Sequence, residues 1–143
     1  MSDTNKLPTW FWVVSGIALV WNLLGLLAYT GHMMQGPEEF AKMPEAERLL
    51  YESIPAWATG AFTLAVFGGV IGSIGLLMRK AWSGIAFIAS LAGVVLQQIH
   101  SFFLSNTFEV IGQEQMVGPI VVLIGAIALV WFSNMVKSKG WLN

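Results

Sequence analysis

The chain has 143 residues, of which 56% are hydrophobic and only 10% are charged, and its mean hydropathy is +0.70. Soluble domains carry about 25% charged residues, so this composition excludes an ordinary soluble domain and predicts a protein of the lipid bilayer. The formal net charge of −1 offers no basic surface for nucleic acid, and the lack of cysteine excludes disulfides and thiolate chemistry.

Four apolar segments follow one another along the chain, and each is close to the roughly 20 residues that a helix needs to cross a bilayer. They predict an all-α polytopic membrane protein, a single domain of four transmembrane helices in an antiparallel bundle. The predicted helices cover residues 10–32, 55–78, 82–104 and 119–137.

Residues 34–54 form the one sizeable loop of this predicted bundle. Pro37 and Pro44 each precede acidic residues, a pattern typical of helix starts. We expect two short helices to start in this loop, and the second to be an interfacial helix that either lies solvated on the membrane surface or forms a lid over a site.

Basic residues are distributed unequally between the two sides of the predicted bundle. One side carries Lys6, Arg79, Lys80, Lys137 and Lys139, and the other carries only Lys42 and Arg48. Because Lys and Arg accumulate in cytoplasmic loops, both termini are predicted to be cytoplasmic and the loop at 34–54 to lie outside.

The first and third predicted helices each carry one stripe of small and polar residues at alternating spacings of three and four. These stripes are Ser15, Ala18, Asn22, Gly25, Tyr29 and His32, and Ser83, Ala86, Ser90, Gly93, Gln97 and His100. A shift of 68 residues superimposes them with four identical pairs. The match indicates either two related hairpins or a coincidence among small residues, which are common in membrane helices.

Small residues in the second predicted helix indicate close packing against its neighbours. Ala61, Ala65, Gly69 and Ser73 recur every four residues, and Gly68 with Gly72 forms a GxxxG pair. The predicted packing positions are Gly68, Gly69, Gly72, Ser73, Ser90 and Gly93. The alternative for this glycine-rich run is a bend or a substrate passage.

Polar side chains inside a membrane are costly, so each needs a partner or a function. Asn22 lies near the predicted midplane, where we expect it to bond across helices to Ser90. Tyr29, Gln97 and His100 lie near the outer end of the bundle, with His32 just beyond the apolar core.

Three functions are compatible with this outer cluster. The first is an accessory or oligomer-forming membrane subunit without chemistry, which packs into a homo-oligomer or a larger membrane complex. The second is a transporter or channel-like protein for a small neutral, sugar-like solute, bound by Asn22, Tyr29, Gln97 and His100. The third is a haem or metal protein that uses His32 and His100; otherwise no cofactor is expected.

Catalysis is not expected from this sequence. It contains no serine elbow, no phosphate-binding GxxxxGK motif and no paired carboxylates within the predicted spans.

Several stretches carry a resemblance that covers nearly the whole chain. They are residues 15–25 (SGIALVWNLLG), 54–57 (IPAW), 67–82 (FGGVIGSIGLLMRKAW) and 139–142 (KGWL). Together they resemble a family of small bacterial four-helix inner-membrane proteins, mostly of unknown function and sometimes labelled sugar transporters. The resemblance implies a multi-pass protein of the bacterial inner membrane, and it implies no functional residue.

Overall fold

The computed structural model describes residues 7–105 and 107–143, and within these residues every regular element is a helix. The elements are α1 (Thr9–Met33), α2 (Pro37–Ala41), α3 (Glu45–Glu52), α4 (Ala56–Leu77), α5 (Ser83–Ile99), α6 (Thr107–Ile111) and α7 (Val117–Ser138). A π-helical segment at His100–Leu104 continues α5, and a 3₁₀-helix at Gln113–Met116 precedes α7. Four of these helices are long and apolar enough to cross a membrane, which confirms the prediction of an all-helical chain with four potential spans.

Proline sets several of the helix starts. Pro37 opens α2, and Pro8, Pro44 and Pro55 are the residues that precede α1, α3 and α4. The loop at 34–54 therefore contains two short helices, which start at the two predicted prolines. The start of α7 differs from the predicted one, because the helix begins at Val117 and Pro119 lies within its first turn. A proline is tolerated there since the N–H groups of the first turn have no acceptor within the helix.

The long helices α4 and α7 end in the same backbone motif. Arg79 and Gly140 adopt positive φ angles of 57° and 79°. The next N–H bonds back to the carbonyl five residues earlier, from Lys80 to Gly75 at 2.8 Å and from Trp141 to Val136 at 3.1 Å. This is the Schellman arrangement, in which glycine is usual and arginine is not.

The C-terminal tail is bonded to the turn between α4 and α5. The N–H of Asn143 donates to the carbonyl of Arg79 at 2.6 Å, and the N–H of Ala81 donates to the carbonyl of Asn143 at 2.8 Å. The Nε of Arg79 also donates to the carbonyl of Trp141 at 3.0 Å. These bonds hold the end of the chain beside the α4–α5 turn.

We call the end of the molecule that holds this turn the terminal end, and the end that carries α2, α3 and α6 the loop end. A buried cluster closes the terminal end: Phe11, Leu76, Phe87, Phe132, Val136 and Leu142. Aromatic side chains of α1 and α7 meet here, with the Phe11 and Phe132 rings 6.1 Å apart. The main hydrophobic core of the protein therefore lies at the terminal end.

Helix α4 lies at the centre of the bundle. In its most apolar window 56% of the residues are buried, against 17% in α1 and 11% in α7. Helices α1 and α5 both pack against α4, and α7 packs against α5. The stripes of α1 and α5 therefore both contact α4.

Glycines bring the backbones of α4 and α5 into contact. A Cβ atom on Gly93 would lie 2.5 Å from the carbonyl oxygen of Ala61, and one on Gly68 would lie 3.0 Å from that of Ala86. A Cβ on Gly72 would meet the Phe87 ring at 2.9 Å. Gly69 faces the other neighbour, α1, where the Asn22 side chain occupies the space that a Cβ would need.

Candidate functional site

A cavity of about 500 Å³ lies between the four long helices; we call it the central cavity. Its polar lining comes from Asn22 of α1, from Ser90, Gln97 and Gln98 of α5, and from Ser101 of the π-helical segment. The remaining walls are apolar or glycine, and no charged residue is among the described residues that line it. Such a cavity suits an uncharged ligand that offers apolar surface and a few hydrogen-bonding groups.

A second cavity of about 220 Å³ lies at the loop end, and we call it the loop pocket. Leu50 and Tyr51 of α3 and Ile111 of α6 form one side of it, and His32 and His100 lie on other walls. The amphipathic helix α3 buries Leu50 while its acidic residues stay at the surface. Helices α3 and α6 thus cover this pocket.

Three residues line both cavities, and we call them the junction: Phe62, Gln97 and Ser101. Gln97 and Ser101 are four residues apart, so their side chains project from the same side of the helix. Neither side chain makes a hydrogen bond with any residue that the structure describes. Both side chains are half-buried and line the two cavities, so the junction presents polar groups that are free for a ligand.

The other polar side chains of the central cavity are bonded to the protein. The Nδ2 of Asn22 donates to the carbonyl of Ala18 at 2.8 Å and to Ser73 Oγ at 3.0 Å. Ser90 Oγ donates to the carbonyl of Ala65 at 2.6 Å, and Gln98 Nε2 donates to that of Pro119 at 2.6 Å. These groups fix helix positions, which leaves Gln97 and Ser101 as the free ones.

The predicted partner of Asn22 is wrong. Asn22 bonds to Ser73 of α4, whereas Ser90 bonds to the α4 backbone. The physical reason is that the main contact of α1 is with α4, and Gly69 leaves room for the amide on that face. The position of Asn22 near the middle of its helix predicted a hydrogen bond to another helix. It did not predict which helix supplies the partner.

Tyr29 lies outside the residues that line the two cavities. Its hydroxyl is 2.8 Å from Thr63 Oγ1, and its ring meets the Phe62 ring edge-on at 5.0 Å. The tyrosine therefore joins α1 to α4 near the loop end. Of the four predicted solute-binding residues, the central cavity is lined by Asn22 and Gln97, and the loop pocket by Gln97 and His100.

His32 and His100 both line the loop pocket, but each ring packs against an aromatic neighbour. The His32 ring lies 5.0 Å from the Tyr51 ring, and the His100 ring lies 5.6 Å from the Trp57 ring. Within residues 7–105 and 107–143, no group of three His, Cys, Asp or Glu side chains could hold a metal ion. The pocket's 220 Å³ is below the roughly 300–1,000 Å³ of pockets for drug-sized ligands.

Sequence reasoning missed Phe62 and Ser101 as site residues, and it predicted Ser73 as a packing residue but not as the partner of Asn22. The sequence did contain a signal for Ser101, which lies four residues after Gln97. Residues three and four apart share one side of a helix, so Ser101 lies on the same side as Gln97 and His100. The π-helical segment that begins at His100 is a second signal, visible only in the structure, since such segments occur frequently at functional sites. Phe62 carried no signal, because an apolar residue in an apolar span has no distinguishing pattern.

Comparison with known proteins finds no matching family model, no matching curated protein and no matching solved structure. The function is therefore inferred from the geometry of the two cavities and their junction.

Proposed function

We propose that this chain is a bacterial inner-membrane protein that binds one small uncharged solute in the central cavity. The observation that carries the proposal is the pair of unpaired polar side chains, Gln97 and Ser101, at the junction. Polar groups within a membrane span that are not used by the protein itself are typical of substrate pathways. Gln97 and Ser101 supply the hydrogen bonds that orient the solute.

The volume and lining of the central cavity support this proposal. Its 500 Å³ falls within the roughly 300–1,000 Å³ of pockets that hold small molecules. An ionised solute would lose its hydration without meeting an opposite charge, because the described lining residues carry none. The solute is therefore uncharged.

A chain of cavities supports access from the loop end. His100 lines the loop pocket and also a surface cleft with Ser53 and Glu109. Gln97 and Ser101 then connect the loop pocket to the central cavity. A solute that enters at the cleft would pass His100 before it reaches Gln97.

The proposed topology is an antiparallel bundle with both termini in the cytoplasm. The bonds from Asn22 to Ser73 and from Tyr29 to Thr63 support antiparallel α1 and α4, because the residue numbers rise in one helix and fall in the other. The asymmetric distribution of Lys and Arg supports a cytoplasmic terminal end. The loop end then faces outward.

The test is solute uptake into vesicles that contain the purified protein. With a panel of radiolabelled uncharged solutes that runs from sugars and polyols to monoacylglycerols, we expect Gln97→Ala to lower the uptake of the accepted solute about five- to tenfold. This corresponds to one lost hydrogen bond of about 1–1.4 kcal/mol. Gln113→Ala makes the same change at an exposed residue outside the cavities and should leave uptake unchanged. Equal uptake by wild type and Gln97→Ala would remove the proposed site.

A second function is favoured by a separate feature on α1. A shallow groove runs along its outward face beside Gly16, between Trp12, Val13, Ile17 and Val20. A Cβ on Gly16 would meet nothing within 4 Å, so a helix from another chain could approach closely here. This groove supports assembly into a homo-oligomer or a larger membrane complex, as an accessory subunit would need. Loss of the oligomer in Gly16→Leu, measured by native mass spectrometry, is the expected outcome.

A further inference from the structure

We infer that the ligand of the central cavity is an uncharged amphiphile, which reaches the cavity from the bilayer through a side opening between α1 and α7. This inference rests on the proposed function; it adds the class of ligand, and it adds a route from the bilayer to the one from the loop end. It follows from three observations: a closed terminal end, lining residues that face lipid, and a gradient of polarity along the cavity.

The central cavity is closed toward the terminal end. Phe87 and Leu129 line its floor, and both belong to or pack against the buried aromatic cluster. Phe11 in that cluster is fully buried, and Phe132 is 5% exposed. A ligand therefore cannot leave through this end in the observed conformation.

The side of the cavity between α1 and α7 is open. Leu24 of α1 is 59% exposed and Val122 of α7 is 40% exposed, although both line the cavity. Ala28 and Gly118, which also line it, are exposed as well. All four lie within apolar helices that are long enough to cross a membrane, so their exposed surface faces lipid in the proposed topology.

The cavity is elongated and its polarity changes along its length. On α7 the lining runs from Gly118 to Leu129, which is roughly 16 Å at 1.5 Å per residue. The free polar groups, Gln97 and Ser101, lie at the loop end of this slot. Toward the terminal end the lining is formed by Phe87, Val94, Ala126 and Leu129, together with Ser90, whose hydroxyl is already bonded to the carbonyl of Ala65.

These features together define the ligand class. A free sugar would leave the apolar floor without a partner and would stay exposed to lipid at the side opening. An uncharged amphiphile fits both the polar and the apolar part of the cavity. Its hydroxyl or amide head group can bond to Gln97 and Ser101, while its acyl chain lies along the apolar part. The amphiphile can enter the cavity from the bilayer through the side opening, so it need not cross an aqueous phase.

The experiment uses the full-length protein in phosphatidylcholine nanodiscs and a monoacylglycerol that carries a diazirine in its acyl chain. After photolysis, peptide mapping should locate the label on the lining residues of α1 and α7. Ala28→Trp fills the side opening and should reduce this labelling at least fivefold. Leu27→Trp places the same side chain on the neighbouring, outward position and should leave the labelling unchanged.

A second pair of variants guards against misfolding. Val122→Trp should reduce labelling like Ala28→Trp, and Ile124→Trp, which is exposed outside the cavity, should not. Uniform labelling of all lipid-facing residues, or equal labelling of blocked and control variants, would overturn the inference. If an ionised fatty acid that carries a diazirine labels the cavity as strongly as the monoacylglycerol does, the inference that the head group is uncharged is wrong.

Failure of this inference can be separated from failure of the proposed function. If a free sugar or polyol binds in a Gln97-dependent way while the monoacylglycerol does not label the slot, the amphiphile is wrong and the uncharged-solute site stands. If neither the sugars and polyols nor the monoacylglycerol bind, the proposed function and this inference are both wrong. Crosslinks that join two copies of the chain across the side opening would instead identify a second copy as its occupant and also overturn the inference.

Discussion

At the scale of single residues, the structure separates polar groups that build the bundle from polar groups that are free for a ligand. Asn22, Ser90 and Gln98 each donate to the protein, and Gln97 and Ser101 do not. All five looked alike in the sequence as polar residues within apolar spans. The distinction depends on which helix faces each side chain.

Asn22→Leu tests the structural part of this division. The substitution removes the bond to Ser73, so we expect the free energy of unfolding in detergent to fall by about 0.6–2 kcal/mol. Thr30→Val is the matched control, because Thr30 is exposed and bonds only to the carbonyl of Leu26 in its own helix. A decrease of equal size in both variants would mean that the bond between α1 and α4 is not the cause.

The sequence predicted that Asn22 bonds across helices, but it did not predict the partner. Spacings of three and four define a stripe on one helix and contain no information about neighbouring helices. The error was to pair the two stripes with each other, when both face α4. The free state of Gln97 and Ser101 depends on the same packing and was equally beyond a single sequence.

At the scale of helices, α4 organises the bundle because its small residues let two neighbours approach. Gly93 of α5 meets the α4 backbone at Ala61 and Ala65, while Gly69 receives the Asn22 side chain of α1. The four-residue spacing of small residues predicted such contacts, because this spacing is typical of close helix packing. The side opening could not be predicted in this way, because it depends on the three-dimensional arrangement of α1 and α7.

Gly93→Ala tests the close contact of α4 with α5. The added Cβ would lie 2.5 Å from a backbone carbonyl oxygen, so the helices must separate, and we expect a loss of stability of about 1–3 kcal/mol. Gly60→Ala is the control on α4, where a Cβ meets nothing within 4 Å and alanine favours the helix. Thermal unfolding of both variants in the same detergent measures the difference. Equal midpoints would contradict the contact.

At the scale of the whole molecule, length and hydropathy were sufficient to predict an all-helical chain with four potential spans. The four apolar segments are separated by charged or proline-containing stretches, so their number was not ambiguous. The cavities were not predictable, because they are the spaces that remain once helix tilts and side-chain sizes are set. Only the composition of their lining could be guessed in part, through Asn22 and Gln97.

The proposed topology makes a prediction for the intact cell. Reporter fusions at either terminus should give a cytoplasmic signal, and an insertion within residues 34–54 should give a periplasmic one. Replacing Lys137 and Lys139 with glutamine should weaken this orientation, since both contribute to the charge difference. A periplasmic signal from either terminus of the wild-type protein would contradict the topology.

Native mass spectrometry of the protein released gently from its own membrane tests the solute site most directly. We predict that the chain retains one uncharged small molecule, that Gln97→Ala loses it, and that Gln113→Ala keeps it. A bare chain, or a bound molecule that is retained equally by Gln97→Ala, would contradict a ligand site at the junction.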